Sequence, residues 1–174
     1  QARGGSQPNL LEAARLAEAN GASGITVHLR EDRRHIQDRD VYDLRNQVSC
    51  MNLEMSIWPE SVEIALELVP YDVCIVPEKR EELTTEGGLD VINQKDHLKD
   101  VVFRLKEAGI KVSIFSDPDI QQIKECSRID ADYIEIHTGH YAIAKTDSEL
   151  IDELEKIKEA AIYGEKIGLG VSAG

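Results

Sequence analysis

The sequence is poor in the features that mark stapled, secreted or membrane-spanning chains. Three cysteines in 174 residues, Cys50, Cys74 and Cys126, are odd in number, far apart and without a CxxC pair. That spacing argues against a disulfide framework or a structural zinc site and leaves reduced, mostly buried thiols in a cytoplasmic protein. Long apolar runs are missing too: the longest uncharged stretches are a few residues, against the roughly 20 needed to cross a bilayer, and no signal segment opens the chain. Basic residues are in deficit, 20 Lys+Arg against 33 Asp+Glu for a net charge of −13. The electrostatic footprint of a general nucleic-acid binder is therefore absent, and an anionic substrate must be held by a local cluster of basic groups. There is no tandem repeat, low-complexity tract or Pro/Gly/Ser linker. With 41% hydrophobic residues, ample for one core, the expectation is a single soluble domain over 1–174.

What is present is an alternation of helical and strand patterns. Asn9, with Glu12 three positions later, opens a helix whose apolar face is Leu10, Leu11, Ala14, Leu16 and Ala17, and Gly21 suits its end. A β-branched run follows at Gly24 to His28, then a polar stretch, then a helical pattern from about Asp40 to Val48. Further strands are expected at Met51–Met55, Asp72–Val76, Ile110–Phe115, Tyr133–His137 and Leu169–Ser172. Each follows a helical stretch punctuated by such signals as Pro59, Gly109 and the capping box Thr146–Glu149. Six strands, five intervening helices and the opening helix imply a parallel sheet with helices outside.

No GxGxxG follows any strand, which argues against a Rossmann sheet. A complete eight-stranded barrel needs about 250 residues. The chain opens with a helix and stops at a strand, so the expected fold is a TIM (β/α)8 barrel of which about six strands are given, without the first strand and the C-terminal part.

In such folds chemistry sits at the carboxyl ends of the strands. There Thr26 and His28 share a face, as do Asn52 and Glu54, and Glu135 and His137. His28 is a candidate general acid or base, or else a core histidine bonded to a carbonyl. Glu54 and Glu135 are candidate proton-transfer groups whose burial would raise a carboxyl pKa, or else partners in structural ion pairs. Arg30, Arg33, Arg34 and His35 form a donor cluster suited to phosphate, with a solvated loop tied by Glu31, Asp32 and Asp38 as the plainer reading for Arg33 and Arg34. Thr84-Thr85-Glu86-Gly87-Gly88 offers hydroxyls and backbone amides to an anion. His137 and His140 could meet one metal ion but have no third ligand at helical spacing. Lys79 is the lysine a Schiff-base lyase would have to use, although Glu78-Lys79-Arg80 also reads as a hydrated turn. Trp58 and Tyr141 read as packing or rim residues.

Taken together, the block from Gly24 to Ile36, Met51-Asn52-Leu53-Glu54-Met55, Val76-Pro77-Glu78-Lys79-Arg80, Thr84 to Asp90, and Ile134-Glu135-Ile136-His137-Thr138-Gly139 resemble the pyridoxine 5′-phosphate synthase family in order and spacing. Ala2-Arg3-Gly4 is similar to the tail of that family's first βα loop. The resemblance implies a TIM-barrel enzyme, usually a homo-octamer. It condenses 1-deoxy-D-xylulose 5-phosphate with 3-amino-2-oxopropyl phosphate into pyridoxine 5′-phosphate, releasing phosphate and water, with no metal or organic cofactor. It also implies that His28 and Glu54 accept protons, that Glu135 stabilises charge in the transition states, that Arg30, His35 and Thr84 hold the deoxyxylulose phosphate, and that Arg3 meets the other phosphate. The family's Asn-x-Asp-His strand, its Gly-His proton donor and its last, phosphate-binding strand have no counterpart in these residues. The rivals left open are a Schiff-base aldolase using Lys79 and a phosphate-ligand binding or assembly module without turnover.

Overall fold

The structure is a computed structural model that describes residues 9–84 and 87–174. Helix α1 (Leu10–Ala19) starts where Asn9 accepts the amide of Glu12 at 3.2 Å, and Gly21 takes a left-handed φ of 100° just past its end. The rest alternates: β1 (Ile25–His28), α2 (Asp38–Arg45), β2 (Met51–Met55), α3 (Pro59–Leu68), β3 (Asp72–Ile75), a 3₁₀ turn (Arg80–Glu82), α4 (Lys95–Glu107), β4 (Lys111–Ser116), α5 (Ile120–Arg128), β5 (Tyr133–Ile136), the short α6 (Gly139–Ile143), α7 (Asp147–Lys166) and β6 (Gly170–Ala173). The caps read from sequence hold: Pro59 is the first residue of α3, and Thr146 and Glu149 close a reciprocal box at α7. Three differences are local. α2 begins two residues before Asp40, with Gln37 as its cap, and the segment after β3 winds into a 3₁₀ turn. The stretch around His140 forms a short helix that the sequence pattern does not single out.

The six strands are all parallel and run in the order β1-β2-β3-β4-β5-β6. Sequential neighbours joined through helices are what short right-handed crossovers produce. The sheet does not close among the described residues; it forms an arc of a barrel.

The two faces of that arc differ chemically. On one, Met51, Leu53, Met55, Val73, Ile75, Val112, Ile114, Ile134 and Ile136 are at most 1% exposed and join one continuous core with the helices. α3 contributes Val62, Ala65 and Leu68, and α4 contributes Leu98, Val101, Val102 and Leu105, the i, i+3, i+4, i+7 stripe of an amphipathic helix. Burying each Leu, Ile or Val side chain contributes about 1.5–3 kcal/mol, which makes this face the main source of stability. The other face carries Asn52, Glu54, Asp72, Cys74, Ser113, Tyr133 and Glu135, so the strands alternate even though the sheet is parallel. Barrel interiors are usually filled by branched apolar side chains; here the lumen is polar, and a cavity of about 420 Å³ opens into it beside Asn52, Asp72, Cys74, Ser113 and Glu135. Polar groups in that position must be paired or wet; Asn52 donates to Asp72 at 2.8 Å.

α3 ends on Val69 in the left-handed region, φ 46°, a strained conformation for a β-branched residue. The Arg45 guanidinium offsets that cost by donating to the carbonyls of Leu68 and Val69 at 3.0–3.1 Å, the orphan acceptors of a helix end. No helix of the described residues is long and apolar enough to cross a membrane.

Candidate active site

His28 ends β1 and stands opposite Glu54 of β2 in the parallel register, so both side chains leave the same face at the carboxyl end of the sheet. Nδ1 of His28 lies 3.6 Å from Oε2 of Glu54, an ion-pair distance rather than a hydrogen bond. Its Nε2 lies 3.2 Å from Oε1 of Glu78, a side chain only 5% exposed. Glu78 follows β3 in the segment read from sequence as a hydrated turn, and it is the clearest site residue the sequence reading missed.

Glu135, on β5, enters the same lumen. Its Oε2 accepts the Cys74 thiol at 3.7 Å. Burial, reinforced by the charge of Glu54, pushes its carboxyl above the ordinary glutamate range. Burial likewise pushes Cys74 well up, with Glu135 adding to the effect. Two carboxylates in one polar lumen, with Glu135 raised by its burial, are a standard arrangement for acid–base chemistry. Gly174 permits this placement: a Cβ there would stand 2.1 Å from Oε1 of Glu135.

The basic loop splits as its sequence suggested. Arg33 is a staple: it donates to Asp38 at 2.7 Å, to Glu60 at 3.0 Å and to the Arg30 carbonyl at 3.0 Å. The backbone amide of Arg34 donates to Asp32 at 3.0 Å. Arg30 pairs with Asp32 through two bonds of 3.1 and 3.3 Å, and that hydrogen bond holds the exposed Asp32 carboxyl below its usual range. Arg30 and His35 line, with Thr26 and His28, a cleft of about 440 Å³ along β1 between α1 and α2.

Thr84 sits elsewhere, in the loop between the 3₁₀ turn and α4, against Asp117 just past the end of β4. Its hydroxyl donates to Asp117 and accepts the Gly87 amide at 3.2 Å, while Asp117 also accepts the Gly88 amide at 2.9 Å. A Cβ on Gly88 would lie 2.4 Å from the Asp117 nitrogen, so only glycine allows this approach. Asp117, 3% exposed, is a second residue that sequence reasoning passed over. Arg3, Thr85 and Glu86 lie outside the described residues.

Two readings lose ground. His137 and His140 meet edge to face with ring centroids 6.5 Å apart, and no group of three His, Cys, Asp or Glu among the described residues is placed to hold a metal ion. Lys79 Nζ is 3.1 Å from Glu31 and 4.1 Å above the Trp58 ring. Both contacts engage an ammonium, whereas a Schiff base needs the free amine.

A parallel βα arc with a histidine and carboxylates at its carboxyl end, and guanidinium and hydroxyl donors in the flanking loops, defines an acid–base enzyme of the TIM-barrel class. Solved structures agree on the fold. The chain is similar to the tryptophan synthase A-subunit of Pyrococcus furiosus, with a TM-score of 0.55 and 12% identity over 94% of this chain and 80% of that one. It is also similar to D-psicose 3-epimerase of Clostridium cellulolyticum H10, with a TM-score of 0.54 and 8% identity over 95% and 79%. More specifically, the chain belongs to the family described as pyridoxal phosphate biosynthesis protein PdxJ, whose model matches residues 1–174. Pyridoxine 5′-phosphate synthases of two Coxiella burnetii strains, Dugway 5J108-111 and RSA 331 / Henzerling II, are each 53% identical to it over 175 residues, covering all of this chain and 73% of theirs.

Proposed function

We infer that the protein condenses 1-deoxy-D-xylulose 5-phosphate with 3-amino-2-oxopropyl phosphate to give pyridoxine 5′-phosphate, phosphate and water. The observation that carries this reading is the convergence of His28, Glu54 and Glu135 on one polar lumen in a chain of this family. The amine of one substrate attacks the ketone of the other, so the imine joins the substrates and no lysine of the protein is consumed. What the protein must supply is a series of proton transfers, each gaining typically about 10²–10⁴-fold from a positioned acid or base.

In this reading His28 and Glu54 accept protons during imine formation, enolisation and ring closure. Glu135 holds its proton more readily than an ordinary glutamate, which suits it to stabilise oxygen as charge develops there. Arg30, His35 and Thr84 receive the deoxyxylulose phosphate, and Arg3 the phosphate of the amino ketone. Arg30 must then exchange Asp32 for phosphate, a trade that a guanidinium fork can make in kind. The Lys79 aldolase and a binding module without turnover are not favoured.

A single domain, assembly as a homo-octamer and a cytoplasmic location belong to the same reading. The continuous core supports the first. The exposed Ile151, Leu154 and Ile162 of α7 support the second.

The test is to supply both substrates to the full-length protein and follow product by mass and orthophosphate by colour. Both products should appear together in equal amounts. Neither appearing, with borohydride fixing a keto substrate to Lys79, would replace this reading by the aldolase.

A further inference from the structure

The steps assigned above leave Glu78 without a role, although its side chain is 5% exposed and touches the ring that takes up protons. We propose that Glu78 is a positioning residue that fixes the tautomer of His28, making Nδ1 the atom at which the ring exchanges protons. This rests on the function inferred above.

An ionised carboxylate can only accept hydrogen bonds. Oε2 of Glu78 accepts the backbone amide of Glu31 at 2.9 Å, and Oε1 faces Nε2 of His28 at 3.2 Å. A neutral imidazole carries one hydrogen, so this contact places it on Nε2 and leaves the lone pair on Nδ1. Nδ1 looks toward Glu54 at 3.6 Å, and the ring is 30% exposed, open enough for a substrate to reach. Glu78 is itself held: its own amide and that of Lys79 donate to Oε2 of Glu82 at 2.9 and 3.2 Å. The charged groups facing this unit are Glu54 from β2 and Arg30 from the loop after β1, whose guanidinium feels the Glu78 charge while bonded to Asp32. The Nε2–Glu78 contact is the shorter of the ring's two carboxylate contacts and the one at hydrogen-bond distance, so it sets the tautomer, the logic by which a buried carboxylate orients a catalytic histidine in hydrolases.

The experiment uses full-length protein labelled with ¹⁵N-histidine, the His28 signal being assigned by its loss in His28→Gln. The wild type should show His28 as the Nε2–H form. Glu78→Gln, whose amide can donate to Nε2, should shift it toward the Nδ1–H form and lower kcat by about 10²-fold with KM changed by less than about threefold. A wild-type Nδ1–H form, an unchanged tautomer in the variant, an unchanged kcat, or an effect confined to KM would each overturn the proposal. If Glu78→Gln does not fold, the wild-type spectrum alone decides. Failure of the wild type to make product would instead strike the function inferred above, because the tautomer is read without turnover.

Discussion

Removing the Asp117 carboxylate should loosen the Thr84–Gly88 segment far more than neutralising it does. The side chain accepts two bonds, from the Gly88 amide at 2.9 Å and from the Thr84 hydroxyl, and is 3% exposed. Each bond to a charged acceptor contributes about 1.5–3 kcal/mol, and a buried amide left without a partner costs about 1–3 kcal/mol. These contributions overlap, and water recovers some of the loss once the segment opens. Asp117→Ala is therefore expected to cost about 3 kcal/mol, felt locally. Asp117→Asn keeps a carbonyl oxygen for Gly88 and turns the Thr84 contact into an amide donating to the hydroxyl, so about 1 kcal/mol is expected. Read as amide hydrogen exchange at Gly88 and Leu89, the difference between the two variants is more than a factor of ten, and Ala stands about 10²-fold faster than wild type. KM for the deoxyxylulose phosphate should rise with it, because Thr84 loses its support. Equal exchange rates in the two variants, or no acceleration with Ala, would refute this reasoning.

Two further outcomes follow from burial. The Glu135 carboxyl is raised in the folded protein, so the folded state binds a proton that the unfolded state gives up, and stability falls as pH rises from the ordinary glutamate range through the raised value. Glu135→Gln should remove that slope: its urea midpoint should match the wild type near pH 4 and exceed it near pH 8, and parallel curves would count against the assignment. Burial pushes Cys126 up to about 12 and Cys74 well above the usual thiol range, and Cys50 only moderately. A disulfide reagent should therefore label Cys50 first in native protein and reach the other two only on unfolding, as peptide mapping of the labelled protein would show.

The fold was largely legible because its signals are local. Asn9, Pro59 and Thr146 act within three or four residues of themselves, and the strands at Met51–Met55 and Tyr133–Ile136 announce themselves by alternation. Within the site, His28, Glu54 and Glu135 could be placed because period-two spacing puts them on one face near strand ends. Glu78 and Asp117 could not. Their roles depend on partners 50 and 29 residues away, and a carboxylate in Glu78-Lys79-Arg80 looks the same in sequence whether it is hydrated or buried. The Arg33 cluster shows the same limit from the other side. A loop tied by its acidic neighbours is the plainer sequence reading of Arg33 and Arg34, and spacing reveals Asp38 but not Glu60 as the partner of Arg33, with Arg30 and His35 left on the cleft. Glu60 lies too far along the chain. The short helix at Gly139–Ile143 was hidden for a different reason: five residues are too few to show a helical period.

The most direct test of the central claim, that the residues at this single mouth close the pyridine ring, is the turnover of Glu54→Gln in the full-length protein with both phosphorylated substrates. The substitution keeps the size of a side chain that is 28% exposed and faces His28, so folding and substrate binding should be retained, while kcat should fall by about 10²–10⁴-fold, the share of one proton acceptor. A variant that makes pyridoxine 5′-phosphate at the wild-type rate would contradict it.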